Sequence, residues 1–215
     1  MAAKAAKTGK TPVIDLWTEH KELYSPKAGR PELVRVPPFS YLMVDGKGDP
    51  NTTPDFGAAI GALYSLAYTL KFMLKKKKLM DFRVLPSSAR YHNQDPRVFL
   101  EGRKQEWQWT LMLPVPSSVT AAQLKEAREL ALARKNPSPA LPRVRREVLR
   151  EGLCAQVLHI GPYAAEKPTI EALHAFIAEQ GLTFAGSHHE IYLSDPNRTA
   201  PEKLKTIVRQ PVKKA

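Results

Sequence analysis

The segment from His188 to Leu193, reading His-His-Glu-Ile-Tyr-Leu, concentrates groups able to bind ligands or move protons. Side chains alternate between the two faces of a strand, so His188, Glu190 and Tyr192 share one face and Ile191 and Leu193 the other. The apolar pair belongs in a core. The polar face admits two readings. On a solvated outer sheet it is ordinary. On a concave face lined by rings, the carboxylate would draw organic cations, which ring faces also attract. With its pKa raised by partial desolvation, the same carboxylate would serve as general base or acid. Glu190 is therefore the candidate catalytic residue if the protein is an enzyme.

A second patterned run, 107–113 (Trp-Gln-Trp-Thr-Leu-Met-Leu), places Trp107, Trp109, Leu111 and Leu113 on one face, as core or as pocket wall. His188 and His189 look like metal ligands, but adjacent strand residues point apart, so no metal is expected. Cys154 is the single cysteine. It allows no internal disulfide, joins no zinc cluster and reads as a core thiol. No Gly-rich phosphate loop, dinucleotide fingerprint or nucleophile elbow occurs, and no cofactor is expected.

Net charge is +12, from 33 Lys and Arg against 21 Asp and Glu. Lys4, Lys7, Lys10, Lys213 and Lys214 lie near the ends of the sequence, and Lys75 to Lys78 form one block at the end of an expected helix. These cations read either as solvated ends and a complement to the helix dipole, or as a polyanion patch. Without a recognition helix or an aromatic-basic RNA motif, no specific nucleic acid is expected as partner. The 43% hydrophobic content supports a real core. No run of 18 consecutive apolar residues marks a membrane span. No secretory signal is visible, so a cytoplasmic location is expected. The oligomeric state stays open.

The elements that must position these residues are legible in outline. Residues 1–12 read as a disordered basic leader, and 13–31 as irregular, with Trp17 and Tyr24 as anchors. Strands are expected at 32–36 and 41–44, then a helix over 54–78 capped by Thr53, with Pro54 just inside its start. Its stripe is Ile60, Leu63, Ala67, Leu70 and Leu74. A short strand at 82–85 precedes a polar stretch, 86–106, and the strand 107–113. A second helix, 120–135, opens with a Thr120/Gln123 capping box and buries Leu124, Ala127, Leu130 and Ala131. A Pro-rich linker, 136–142, follows. The second half repeats the order: strand 152–160, a helix with Pro168 in its first turn and Gly181 at its stop, strand 188–193, and a β-prone piece at 206–212. The expectation is an α+β fold: one domain over 13–215, built of two strand-helix-strand-strand halves, about 32–113 and 150–212.

Several ordered stretches carry a family likeness. Residues 186–196 (Gly-Ser-His-His-Glu-Ile-Tyr-Leu-Ser-Asp-Pro), continuing to 204–209 (Leu-Lys-Thr-Ile-Val-Arg), resemble the C-terminal signature of GyrI-like small-molecule-binding proteins. So do 34–50, ending Asp-Gly-Lys-Gly-Asp-Pro, and the stretches 60–68, 109–114 and 153–163. The likeness covers about 13–212 and is nearest to the stand-alone branch, which is related to the effector domains of AraC-type regulators. It implies pseudo-twofold symmetry and a ligand cleft between the halves. It also implies that Glu190 is the cleft glutamate, with Tyr192, Trp109, Trp107, Tyr64, Tyr91 and Tyr163 as walls. The function it implies is binding of flat lipophilic or cationic compounds, in xenobiotic or toxin protection. The alternatives are a hydrolase of cyclopropanoid DNA-alkylating compounds, or a protein that interacts with gyrase or nucleic acid. One departure bears on the hydrolase. Where close relatives read Leu-Glu-Gly-Leu-Trp, this sequence reads Ser87-Ser-Ala-Arg-Tyr91, so Ser88 replaces a second acid and Tyr91 a tryptophan. Glu101 or Glu106 would be the substitute carboxylate.

Overall fold

The computed structural model describes residues 13–93 and 97–215; the expected leader, 1–12, lies outside the described residues. Short elements come first: β1 (Val13–Ile14), α1 (Leu16–Glu19), α2 (Lys21–Tyr24) and β2 (Glu32–Val36). The first half runs β3 (Phe39–Lys47), α3 (Pro54–Lys76), β4 (Asp81–Phe82), β5 (Ser88–His92), α4 (Arg97–Leu100) and β6 (Gln108–Val115). Next come α5 (Ala121–Leu132) and β7 (Arg145–Leu149). The second half runs β8 (Gly152–Ile160), α6 (Lys167–Glu179), β9 (Leu182–Phe184), β10 (His188–Tyr192) and β11 (Lys205–Lys214). The mixture of helix and sheet is the expected α+β class.

Nine strands form one sheet in the order β2-β8-β11-β10-β5-β6-β3-β7, with β9 pairing β11 off that path. Read outward from the central β5–β10 pair, the order is the same on both sides. A short strand is followed by the last long strand of its half, then the first long strand, then an edge strand. Each edge strand comes from the segment preceding the other half: β2 precedes β3 yet pairs β8, and β7 precedes β8 yet pairs β3. The halves therefore hold each other by exchanged strands.

The register fixes which side chains share a face. One row of directly opposed residues runs Val44, Leu111, Ala89, Glu190, Val208, Val157. Val44 and Leu111 are buried with Leu63, Leu66 and Leu70 of α3. At the other end, Val208 and Val157 are buried with Leu173 and Ile177 of α6. Both helices thus cover the same face, and Glu190 sits between them at the seam. Tyr91 and Trp109 oppose each other in a neighbouring row.

On the opposite face a polar row crosses the sheet: Asp45, Thr110, Arg90, His189, Arg209, Gln156, Glu32. Its middle is buried. His189 Nδ1 lies 2.8 Å from Glu151 Oε1, and both side chains are essentially inaccessible. Arg209 donates to Gln156 Oε1 at 2.8 Å and to the Leu23 carbonyl at 2.7 Å, and Gln156 donates to Glu32 at 3.0 Å. Burial would raise the Glu151 carboxyl, but His189 and Arg209 outweigh it and hold it at about 2. Leu23 and Tyr24 close this face together with Val36, Tyr41 and Met112. The anchoring of 13–31 by Trp17 and Tyr24 takes the form of a ring stack at 5.0 Å.

Local signals hold in part. The Thr120/Gln123 capping box makes both of its hydrogen bonds. Thr53 stands at the start of α3 but makes no side-chain cap; Pro54 alone opens the helix. Leu130 is 48% exposed, so the α5 stripe is Leu124, Ala127 and Ala131. The strand expected at 82–85 is only Asp81–Phe82, paired in parallel with β1. The linker region buries Ala140 and Leu141 and leads into β7, a strand the sequence does not announce. Although no consecutive apolar run marks it, α3 is apolar enough over 23 residues to cross a membrane by length and composition; 50% of its apolar window is buried against the rest of the fold. Cys154 is fully buried and its thiol is pushed up to about 12 by burial.

Arg209→Ala would strand the Glu151 carboxylate in the interior. It should cost ~3–5 kcal/mol in urea unfolding, whereas exposed Arg198→Ala should stay within about 0.5 kcal/mol. Equal, small effects would show that the polar row is solvated.

Candidate functional site

The alternation of β10 puts His188, Glu190 and Tyr192 on the helix-covered face, while His189 and Ile191 lie beneath. Glu190 is half-enclosed, with 12% of its side chain exposed. Tyr192 donates to Glu190 Oε2 at 3.0 Å, and His188 Nε2 lies 3.0 Å from Oε1. The Tyr91 and Tyr192 hydroxyls are 2.8 Å apart. Since the Tyr192 proton is committed to Glu190, Tyr91 must donate to Tyr192. The relay Tyr91–Tyr192–Glu190 fixes the carboxylate, and burial keeps both phenols well above their ordinary pKa.

The turn between β8 and α6 brings in two further groups. Tyr163 packs edge-on against Tyr192 at 5.7 Å. Glu166, where α6 begins, is 5% exposed, and its Oε1 has no hydrogen-bond partner. Its carboxyl is pushed up to about 8, first by burial and then by the charge of neighbouring Glu190; the Thr206 hydroxyl acts the other way. Two adjacent carboxyls in such surroundings do not both ionise. Glu166 is thus neutral beside Glu190 at neutral pH. Burial first, and then the nearby carboxyls of Glu166, Glu190 and Asp195 in the alkaline range where all are ionised, push the Tyr163 phenol up to about 12.

Of the residues singled out in the sequence, Glu190, Tyr192, Tyr91 and Tyr163 meet here. Trp107 meets this group at Tyr91, with ring centroids 5.6 Å apart. It precedes β6 instead of opening it. Tyr64 on α3 accepts from the Ser87 amide at 2.9 Å, and the Ser87 carbonyl accepts from the Tyr192 amide, so Tyr64 borders the site. Trp109 is fully buried, donates to the Gly48 carbonyl and packs edge-on against Phe56. A Cβ on Gly46 would fall 2.0 Å from its ring, so glycine is required where that ring crosses β3. Trp109 supports Tyr91 from within the core and presents no open face.

Ser88 opposes Ile191 on the other face, so it cannot stand in for an acid beside Glu190. Glu101 and Glu106 both pair with half-buried Arg103. The second carboxylate is Glu166, which the sequence reading passed over. Its signal is a carboxylate in the turn between β8 and a helix with Pro168 in its first turn.

Among the described residues, no group of three or more His, Cys, Asp or Glu converges as a metal site. Two surface concavities, of about 260 Å³ at Lys27–Glu32 and about 470 Å³ at Asp49 and Gly102–Glu106, are lined by other residues. The carboxylate pair is instead covered by its own rings.

The family profile of the GyrI-like small molecule binding domain matches residues 30–213. The crystal structure of an uncharacterized conserved protein from Listeria innocua is 38% identical, with a TM-score of 0.85, covering 93% of this chain and 100% of that one. A hydrolase from Listeria innocua is 37% identical, with a TM-score of 0.81 over 93% of this chain and 100% of that one. The EcmrR C-terminal domain shares the fold at 13% identity, with a TM-score of 0.54 over 86% of this chain and 98% of that one. No curated protein sequence matches the chain.

The Glu166 carboxyl ionises near 4.5 when unfolded and near 8 when folded. Its contribution to stability is complete below pH 4.5 and is lost as pH rises through 8. Glu166→Gln removes that dependence. Relative to wild type, the variant should gain on the order of 2–4 kcal/mol between pH 5 and pH 8.5 in urea unfolding. A constant difference across that range would mean that Glu166 ionises normally.

Proposed function

The chain belongs to the GyrI-like small-molecule-binding family, and from that premise we propose that it binds flat lipophilic or cationic compounds at Glu190. The observation that carries this reading is a largely buried carboxylate pair beside the rings of Tyr91, Tyr163 and Tyr192. Ring faces supply area to any flat molecule and extra attraction to a cation, and the net negative charge of the pair adds to the latter. Entry requires a covering ring to swing aside; Tyr163, held by ring contact, is the candidate door. Such a protein would protect its host by sequestering a xenobiotic or toxin, in keeping with a cytoplasmic location.

A second reading has its own support. A neutral carboxyl beside an ionised one is the acid–base pair of a hydrolase, and a protein 37% identical to this chain is described as a hydrolase. With a cyclopropanoid substrate, Glu190 would take a proton from water as its oxygen attacks the strained ring. The breaking carbon–carbon bond would send its electrons to a conjugated carbonyl oxygen, which Glu166 would protonate. The loss of an acid at Ser88 then costs nothing, because Glu166 supplies it.

N-methylacridinium and neutral 10-methylacridone form a matched flat pair. Glu190→Gln should weaken the cation by ~1–3 kcal/mol and leave the neutral compound near its wild-type affinity. Unchanged affinity for both would remove Glu190 from the site. If a cyclopropanoid is turned over, the same substitution should lower kcat more than it raises KM.

A further inference from the structure

We propose that the Glu166–Glu190 pair exchanges one proton for one organic monocation, releasing the proton to solvent when the cation binds and retaining it under a neutral ligand. The inference rests on the reading of this seam as a small-molecule site, and it names the ligand charge to which the site responds.

The argument begins with unequal partners. Both oxygens of Glu190 are engaged, one by Tyr192 and one by His188. Glu166 is almost fully buried and its Oε1 has no partner. Such an atom is costly to enclose as an anion. The groups facing the pair are Thr206 on β11, Tyr163 in the turn before α6, Tyr91 on β5, and His188 and Tyr192 on β10. His174 on α6 acts on His188, and Asp195 acts on Tyr163. Among the described residues that face the pair none is a lysine or arginine, so the neutralising charge they leave for Glu166 is a proton.

An organic cation seated between the rings would replace that charge. An opposite charge within ~4–6 Å lowers a carboxyl pKa by about 1–3 units. Starting from about 8, Glu166 then falls to neutrality or below and ionises. The balance is Glu166–COOH plus cation going to Glu166–COO⁻·cation plus H⁺. By linkage, cation affinity rises about tenfold for each unit of that fall as pH increases, and neutral-ligand affinity does not. The site would load cations at alkaline pH and release them on acidification.

The test is calorimetry with N-methylacridinium and 10-methylacridone at pH 6, 7 and 8.5. It is run at pH 7 in two buffers of different ionisation enthalpy, with infrared detection of the neutral carboxyl C=O stretch. The cation should bind ~7- to 70-fold tighter at pH 8.5 than at pH 6. It should release ~0.4 to 0.9 proton at pH 7, and the carboxyl band should shrink in the same proportion on saturation. The neutral compound should show neither effect. Glu166→Gln, checked for folding by its thermal melt, should abolish the pH dependence, the proton release and the band. A ligand-free wild type without the band overturns the exchange whatever the variant does. So does a cation pH dependence that survives in Glu166→Gln, which would assign it to His188 or His174. Equal proton release by both compounds overturns the exchange alone. Failure of both compounds to bind overturns the proposed function and the exchange with it.

Discussion

Everything at the seam depends on the register of one five-residue strand. β10 is polar on both faces: His188, Glu190 and Tyr192 above, His189 below. A slip of one residue would turn Glu190 under the N-terminal segment and His189 into the ring cluster. A strand so nearly symmetric in polarity cannot be held by hydrophobic alternation alone. The lower face supplies the missing specification. His189 is matched to Glu151, and its neighbour Arg209 to Gln156 and to the Leu23 carbonyl, groups that only the observed register brings together. Buried ion pairs are weak contributors to net stability, but mispaired ones are severely unfavourable. The polar row therefore acts as a register key, and its product is the position of Glu190 on the other side.

The exchange of edge strands has a matching consequence. Because β2 closes the second half and β7 the first, neither half completes its sheet alone. The site is drawn from both: Tyr91 and Tyr64 from the first half, Glu166, Tyr163, Glu190 and Tyr192 from the second. The face covered by helices is continuous, yet α3 and α6 stand over opposite ends of it. The space left between them is where backbone neighbours carry carboxylates and phenols instead of aliphatic groups. Binding chemistry here occupies the interval that two packed helices do not fill.

The sequence displayed what repeats locally and concealed what is set at a distance. The helices α3 and α5 show their apolar period, and the Thr120/Gln123 box shows its spacing. Strand alternation was enough to place Glu190 with Tyr192. β5 was illegible because Ser-Ala-Arg-Tyr-His has neither β-branched residues nor an apolar alternation. It is a strand because β6 and β10 flank it, each supplying a ladder. β7, with Arg-Arg-Glu-Val-Leu, is likewise defined by its pairing with β3. Trp109 looked equally suited to wall or core, and the bare Gly46 opposite it decided for the core. Glu166 was hidden because no pattern ties it to Glu190 across the intervening helix. Only the pairing of β8 and β10 with β11 brings their ends together.

The division of labour between the two carboxyls follows from how each is held. Glu190 accepts from Tyr192 and from His188, and each oxygen keeps a further lone pair, so it is fixed in direction while able to accept once more. Glu166 has been given no equivalent donors, so burial decides its state and leaves it protonated. This asymmetry exists before any ligand arrives. A cation finds a fixed negative charge with a displaceable proton beside it. An electrophile with a water molecule finds a fixed base with an acid beside it. On the two proposed readings the same arrangement would serve capture or hydrolysis, and the difference would lie in what fills the last lone pair of Glu190. If the ligand ring packs down onto Tyr192 and excludes water, the site can only hold. If the ligand leaves one water against Glu190, base, nucleophile and acid are already in contact, and ring opening needs no further group from the protein.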